Sequence, residues 1–186
     1  MKQEIQPSQP INITERLRYQ SVWDEFLLKK VDLFMSPEFR SNGGLLRDTS
    51  LEELHQLINR GGKVWIAQEN NNIYACFTIS ALQNSTNTWH YINHGVTHKK
   101  HRHNGSGIQN RLLETSINHY PSESKFIVIT IAQTIFQNLG FREINLSVLE
   151  GIDPLLTEII ELKLQSSPEL PPGIAKHIYI KTPGII

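Results

Sequence analysis

A short stretch of glycine and polar residues has the composition of an anion-binding turn. Residues 104–108 read Asn-Gly-Ser-Gly-Ile, and basic side chains precede them at Lys99, Lys100 and Arg102. Glycine permits positive φ and close approach of the backbone to a ligand, so successive amides of such a turn can point into one concave site. The apolar periodicity that starts at Ile108 predicts a helix, whose free amides and positive dipole end favour a phosphate. The sequence therefore predicts a phosphate site at this turn.

Spacing argues against two other phosphate-binding motifs. A P-loop requires Gly-Lys followed by Ser or Thr, and this triplet does not occur in the sequence. A Rossmann fingerprint requires a third glycine and an acidic residue about twenty positions later. The third glycine is absent, and a predicted antiparallel hairpin precedes the turn. Nucleotide-binding folds of these two classes are therefore disfavoured.

The basic run at residues 98–103 allows two further interpretations. Its three histidines have metal-ligand character, but a closed zinc site needs a fourth ligand, and no cysteine or acidic residue stands nearby. We therefore predict no metal site. The run could also contact RNA phosphates, but a solvated loop beside the predicted phosphate site explains its charge with fewer assumptions.

Composition indicates a soluble chain without a general affinity for nucleic acid. The 186 residues include 18 basic and 18 acidic side chains, and a nucleic-acid-binding domain would be expected to carry a basic excess. The single cysteine, Cys76, lies in an apolar segment and is interpreted as a buried thiol in a reducing compartment. Neither a membrane span nor a secretory signal fits the sequence, so we expect a cytoplasmic protein.

Hydrophobic periodicity predicts an alternation of strands and helices. We predict strands over residues 11–14, 63–68, 73–82, 88–96, 126–131, 143–149 (an outer strand) and 177–181 (a last edge strand), and helices over 19–35, 51–59, 132–139, 154–164 and from Ile108 to the Tyr120-Pro121 pair. Ser36-Pro37 is expected to end the first helix, and Thr49 or Ser50 to cap the second. Gly95, inside a strand, indicates either a bulge with close backbone approach or a simple kink.

This order predicts an α/β (α+β) fold with a mixed, mostly antiparallel twisted sheet and helices on both faces. The length fits a single domain over residues 1–186. Residues 1–10 are expected to form a loose lead-in, and residues 150–186 a C-terminal extension without an assigned role.

The glycine turn and the order of elements resemble the GNAT superfamily of acetyl-CoA-dependent N-acetyltransferases. Arg102–Gly107 matches the family pattern Arg/Gln-x-x-Gly-x-Gly/Ala. In a second register, Asn104–Gln109 aligns with Arg-Gly-x-Gly-Ile-Gln, and Leu112 and Leu113 follow at the family's spacing. We prefer the second register because it also fits the helix, although Asn104 then replaces the arginine. A second family motif, a helix that closes with Leu-Gly-Phe, resembles residues 135–141.

The resemblance implies that acetyl-CoA is the co-substrate and that its pyrophosphate lies on the glycine turn. Its cofactor-binding residues would be Gly95, Val96, Arg102, Asn104, Gly105, Ser106, Gly107, Ile108, Gln109 and Phe136. The implied reaction is direct attack of a primary amine on the thioester. His90 and His94 lie on one face of the third predicted strand of the meander; His94, nearer the expected thioester, is the candidate base, although a histidine with a purely structural hydrogen bond is the alternative.

The tyrosine that serves as the family's general acid is absent, because Phe136 occupies its position. Thr130, Thr134 or water would have to protonate the leaving thiolate, and Thr130 is our candidate. The alternative is a catalytically weak acyl-CoA-binding sensor or partner-binding module. The acceptor is expected to be a small-molecule or peptide amine, with neither nucleic acid nor membrane as partner. A homodimer is possible through the predicted edge strand at residues 177–181.

Overall fold

The computed structural model describes residues 13–22, 24–40, 50–83, 88–102, 107–167 and 169–183, without the side chains of residues 38–40, 83 and 94. The described strands are β1 Arg18–Val22, β2 Lys63–Glu69, β3 Asn72–Gln83, β4 Thr88–Thr97, β5 Lys125–Thr130, β6 Arg142–Ile144 and β7 His177–Lys181. The described helices are α1 Ile13–Arg16, α2 Glu25–Arg40, α3 Leu51–Asn59, α4 Ile108–Ile117, α5 Gln133–Asn138, α6 Leu146–Ile152 and α7 Pro154–Gln165.

The strands form one seven-stranded sheet in the order β1-β2-β3-β4-β5-β7-β6. Neighbouring strands pair antiparallel, except that β4 and β5 run parallel. The predicted mixed, mostly antiparallel sheet is therefore confirmed. The one parallel pair requires a crossover between β4 and β5, and α4 supplies it.

Helices cover both faces of the sheet, as predicted. Because successive strand residues point to opposite faces, Trp65 and Ile66 of β2 enter different cores. Trp65 belongs to the core that contains residues of α4 and α5, whereas Ile66 belongs to the core under α2 and α3. Helices α4 and α5 therefore lie on the same face of the sheet. A third cluster, beside the core under α2 and α3, contains Ile127 of β5 and residues of α6 and α7.

Local signals correctly predicted the middle of the chain. Asn70 and Asn71 both have positive φ, as the tight turn of the β2–β3 hairpin requires. Ser50 caps α3: its side chain accepts a hydrogen bond from the Glu53 amide, while the Glu53 carboxylate accepts one from the Ser50 amide. This reciprocal capping box satisfies two amides that the helix itself cannot.

The N-terminal part differs from the prediction in three ways. Residues 13 and 14 belong to the short helix α1 instead of a strand, and residues 11 and 12 lie outside the described ranges. The predicted helix over 19–35 is wrong at its start, because Tyr19–Val22 belong to β1, which pairs with β2. Pairing with a strand distant in sequence outweighs local periodicity here. Helix α2 also continues through Pro37, whose exposed side chain faces away from the core.

The C-terminal part corrects two predictions. The outer strand predicted over 143–149 ends at Ile144, and α6 begins at Leu146 because the Asn145 side chain caps it by accepting from the Val148 amide at 2.9 Å. Strand β7 exists as predicted but is not an edge strand, since it lies between β5 and β6. The helix predicted over 154–164 is confirmed as α7, and Gly140, with φ of 77°, follows α5 as predicted.

None of the helices in the described part of the chain combines the length and apolar character needed to cross a bilayer. Cys76 is buried in the core beneath α2 and α3 and forms no disulfide within the described residues.

Candidate functional site

Strand β4 carries a bulge at Gly95. Cys76 pairs with Val96 and Thr78 pairs with Asn93, so one residue of β3 lies opposite His94 and Gly95 of β4. Such a bulge bends the strand and redirects its backbone groups. Of the two interpretations of this glycine from sequence, the bulge is therefore the correct one.

Beyond the bulge, β4 separates from β5. Their parallel register runs from Trp89↔Lys125 to Ile92↔Val128. Strand β4 continues to Thr97 and β5 to Thr130, but no described register pair joins these continuations. The two strand ends therefore leave a gap in the sheet, which we call the β4–β5 gap. Backbone groups that line such a gap are available to an extended ligand.

Helix α4 begins beside this gap. Gly107, its N-terminal capping residue, is exposed and has left-handed backbone angles of φ 67° and ψ 6°. Because glycine has no side chain, it leaves the first amides of α4 available for an external anion. The Ile108 side chain is 1% exposed and anchors the first turn in the core. Asn104, Gly105 and Ser106 lie outside the described residues, so their predicted contacts with a phosphate stay predictions.

One side-chain contact connects the end of β4 to the start of α4, and a second ties the segment between them to β4. The Thr97 hydroxyl donates a hydrogen bond to Gln109 Oε1 at 2.9 Å, and Arg102 Nε donates to the Thr97 carbonyl at 2.6 Å. The Gln109 side chain also lies above Gly95, where an added Cβ would approach its Nε2 to 3.2 Å. The position of the helix N-terminus is thus fixed relative to the bulge.

A polar network that the sequence analysis missed lies at the other side of β5. His177 Nδ1 lies 2.6 Å from Glu143 Oε1, and the Tyr179 hydroxyl donates to Glu143 Oε2 at 3.2 Å. Gln137 Nε2 donates to the Tyr179 hydroxyl at 3.3 Å, and Gln133 Nε2 lies 2.5 Å from His177 Nε2. The signal was present in the sequence: two polar-tipped residues alternate with isoleucines in β7, and two glutamines stand four apart in α5.

Charge within this network is concentrated on Glu143. The hydrogen bond with His177 is the main cause that lowers the pKa of Glu143, burial opposes it, and the bond from Tyr179 adds to the lowering. Glu143 is therefore ionised near neutral pH. Burial, followed by this carboxylate, raises the pKa of Tyr179. The phenol therefore stays protonated while its ring is buried in the core.

Solved structures with the same architecture exist. The N-acetylglutamate synthase from Neisseria gonorrhoeae complexed with coenzyme A and N-acetyl-glutamate is similar over 89% of this chain, with a TM-score of 0.62 and 15% identity. The chain spans 35% of that protein's length. A ribosomal-protein-alanine N-acetyltransferase from Brucella melitensis has a TM-score of 0.62 and 15% identity, with 89% of this chain and 99% of that chain covered.

A GNAT-family acetyltransferase from Staphylococcus aureus Mu50 is similar over 89% of this chain and 99% of its own, with a TM-score of 0.57 and 18% identity. The chain has the GNAT fold. No family model matches the sequence, and the search of curated proteins found no match. The resemblance inferred from the two sequence motifs therefore agrees with the fold.

Within the GNAT fold, the predicted catalytic residues have unequal support. The His94 backbone belongs to the bulge, but its side chain lies outside the described residues, so its role as base stays a prediction. The Thr130 hydroxyl accepts a hydrogen bond from the Ala132 amide at 2.9 Å and supports the start of α5. His90 packs against Tyr120 and Phe126 at the start of β4, away from Gly107, and burial is the main cause that lowers its pKa.

Phe136 lies in the core instead of at an open surface. It is 8% exposed, and its ring centroid lies 5.3 Å from that of Phe141 and 6.3 Å from that of Tyr179. Its predicted contact with the cofactor stays a prediction. Val96 is 2% exposed in the core beneath α2 and α3, so only its backbone remains available to a ligand in the β4–β5 gap.

Two histidines of the basic run, His98 and His101, make aromatic contacts. His98 stacks on Phe34 with 6.4 Å between ring centroids, and His101 packs edge-on against Tyr74 at 5.3 Å. In the described part of the chain, no three His, Cys, Asp or Glu side chains are grouped so as to hold a metal ion. These contacts hold the segment between β4 and α4 against the hairpin and α2.

Proposed function

We propose that this chain transfers an acetyl group from acetyl-CoA to a primary amine of a small molecule or peptide by direct attack on the thioester. The observation that supports this most strongly is the β4–β5 gap, which opens beside the uncapped N-terminus of α4. A gap between strands can receive the extended pantetheine arm by hydrogen bonds to backbone, and the helix N-terminus can receive the pyrophosphate. The solved Neisseria protein with this architecture is complexed with coenzyme A.

The proposed cofactor contacts divide between the two strand ends and the helix. Backbone groups of Gly95 and Val96 would contact the pantetheine, since they follow the last register pair between β4 and β5. Amides of Gly107, Ile108 and Gln109 would contact the pyrophosphate, together with the turn at 104–106. Arg102, anchored on the Thr97 carbonyl, adds positive charge at this end.

Thermal shift with three ligands tests the cofactor. Ligand at about 100 times its Kd adds about 2.7 kcal/mol to the free energy of unfolding, and for a chain of this length this corresponds to a rise in Tm of roughly 5 to 10 °C. We expect such rises with acetyl-CoA and with CoA but not with ATP. Equal rises with ATP, or no rise with either thioester carrier, would contradict the proposal.

A second candidate function is that of a sensor, which binds acyl-CoA but does not transfer the acyl group. The buried Phe136 favours it, because a phenyl ring cannot donate a proton. Release of CoA thiol with a panel of primary amines separates the two functions. Release above the protein-free rate supports the transferase, and binding without release supports the sensor.

A cytoplasmic location agrees with the buried thiol of Cys76, which forms no disulfide in the described structure, and remains part of the proposal. The whole of residues 1–186 is proposed to act as one acyltransferase-like domain. If the protein forms a homodimer by strand pairing, β1 or β6 must provide the edge, since these are the outer strands of the described sheet.

A further inference from the structure

The His177 imidazole lies one strand from the β4–β5 gap. Its backbone pairs with Thr130, the last residue of β5, and neighbouring strands lie about 4.8 Å apart. Because side chains alternate along a strand, His177 projects to the same face as Tyr179, which is buried with residues of α4 and α5. The imidazole and the N-terminus of α4 are therefore on the same face of the sheet.

The two nitrogens of His177 contact groups on different elements. Nδ1 contacts Glu143 on the outer strand β6, and Nε2 contacts Gln133, the first residue of α5, which follows β5 after Ile131 and Ala132. With Glu143 ionised, the proton of a neutral imidazole is assigned to Nδ1, so Nε2 is an acceptor that faces Gln133 at the start of α5. The Gln133 amide now occupies the position of a donor to this nitrogen.

The contacts of Glu143 fix this orientation. Its two carboxylate oxygens bind different partners, His177 and Tyr179, so the carboxylate cannot rotate without losing one bond. The His177 side chain is 24% exposed and the Glu143 side chain 46%. Both line an open cleft of about 570 Å³, whose apolar walls come from the cluster that contains α6 and α7. The pair thus reaches the solvent, unlike Phe136.

From this geometry we propose that His177, oriented by Glu143, carries the proton in acetyl transfer and replaces the hydroxyl that Phe136 lacks. The inference rests on the proposed transferase function. The amine nitrogen forms a bond to the carbonyl carbon and gives a proton to His177 Nε2, for which Gln133 must release this nitrogen. The carbon–sulfur bond then breaks, the electron pair leaves with sulfur, and the imidazolium returns the proton to the thiolate.

Other charged and titratable groups around His177 are few in the described structure. Glu143 faces it from β6, Tyr179 lies two residues along β7, and Lys176 lines the same cleft. Tyr179 stays protonated over the pH range of interest, since its pKa is raised. Only Glu143 and Lys176 therefore contribute charge next to the imidazole near neutral pH.

His177→Asn provides the main test, because the Asn amide can still donate to Glu143 but has no titrating group. We expect a fall in kcat of about 100-fold or more, which is the lower range for general acid–base catalysis, with an unchanged KM for acetyl-CoA. Glu143→Gln should also lower kcat with an unchanged KM for acetyl-CoA, since the carboxylate that orients His177 and stabilises its charged form is then absent.

His55→Gln is the matched control. His55 Nε2 lies 3.1 Å from Glu25 Oε2, so this variant also removes a partly exposed His–Glu pair, but on α3 and α2. Its kcat and its KM for acetyl-CoA should equal those of the wild type, and the Tm of all three variants shows whether each is folded.

Each other outcome has a distinct meaning. If the wild type binds no acetyl-CoA, the proposed function itself fails. If it binds and turns over, and His177→Asn keeps the wild-type kcat, the role of His177 is overturned while the transferase stands. If it binds but releases no thiol with any amine, His177 moves no proton and the sensor is supported.

Discussion

At Gly107 the backbone has a conformation that a residue with a side chain adopts only at a cost. Its φ of 67° places it in the left-handed region, while no atom of the described residues, apart from its chain neighbours, lies within 4 Å of the position of an added Cβ. The cost of a substitution is therefore conformational and not steric. A substitution at Gly107 therefore measures backbone strain at the proposed phosphate site without a change in packing.

Gly107→Ala should lower the free energy of unfolding by about 1 to 2 kcal/mol, the cost of the left-handed conformation for an L-residue. Gly151→Ala is the control, since its added Cβ also meets nothing within 4 Å but lies in helix α6, where alanine is favoured by about 0.5 to 1 kcal/mol. Urea denaturation of both variants measures the difference. Equal changes in the two would show that strain at Gly107 is absent.

At the scale of elements, the N-cap residues of the adjacent helices α6 and α7 differ in the other hydrogen bonds that they make. Asn145 caps α6 at an exposed position. Asp153 caps α7 by accepting from the Leu156 amide at 3.1 Å, and its other oxygen accepts from the indole of Trp89 at 3.1 Å. Asp153 is 4% exposed and Trp89 is 1% exposed. This buried bond joins α7 to β4.

Asp153→Ala should therefore cost more than Asn145→Ala. Loss of a cap costs about 1 kcal/mol, and leaving the buried indole N–H unsatisfied adds about 1 to 3 kcal/mol. We expect a loss of roughly 2 to 4 kcal/mol for Asp153→Ala and about 1 kcal/mol for Asn145→Ala by chemical denaturation. Similar losses in the two variants would mean that the indole bond contributes nothing.

Sequence analysis succeeded for elements whose signals are local. The helix after Gly107 was predicted directly, while the cap at Ser50 and the bulge at Gly95 were each one of two local alternatives. It failed where partners are far apart in sequence. Strand β1 depends on β2, more than forty residues later, and the His177–Glu143 contact spans 34 positions. A single sequence contains no record of such pairings.

At the scale of the whole molecule, buried phenols link stability to alkaline pH. Burial raises the pKa of Tyr91 to about 12, and its ring lies in the core beneath α6 and α7. A phenol ionises near pH 10 in an unfolded chain. The stabilisation of the folded chain by the protonated Tyr91 phenol is therefore complete below pH 10 and is lost as pH rises through about 12.

Tyr91→Phe should remove this loss. Two units of pKa correspond to about 2.7 kcal/mol, so the free energy of unfolding should fall by up to that amount more in the wild type than in the variant between pH 10 and 12. Urea denaturation at pH 9, 10.5 and 12 measures both curves. Parallel curves would show that Tyr91 ionises equally in the folded and unfolded chain.

Because β7 lies inside the sheet, the sheet can be completed only after β7 has been inserted. β7 is the last described strand in the chain, yet it separates β5 from β6. Until it is inserted, β5 has an unpaired side and β6 has no neighbour in the sheet. Late assembly of this kind exposes strand edges to other chains during folding. We infer that loss of residues from His177 onward would cause aggregation, and that nascent chains depend on rapid docking of this strand.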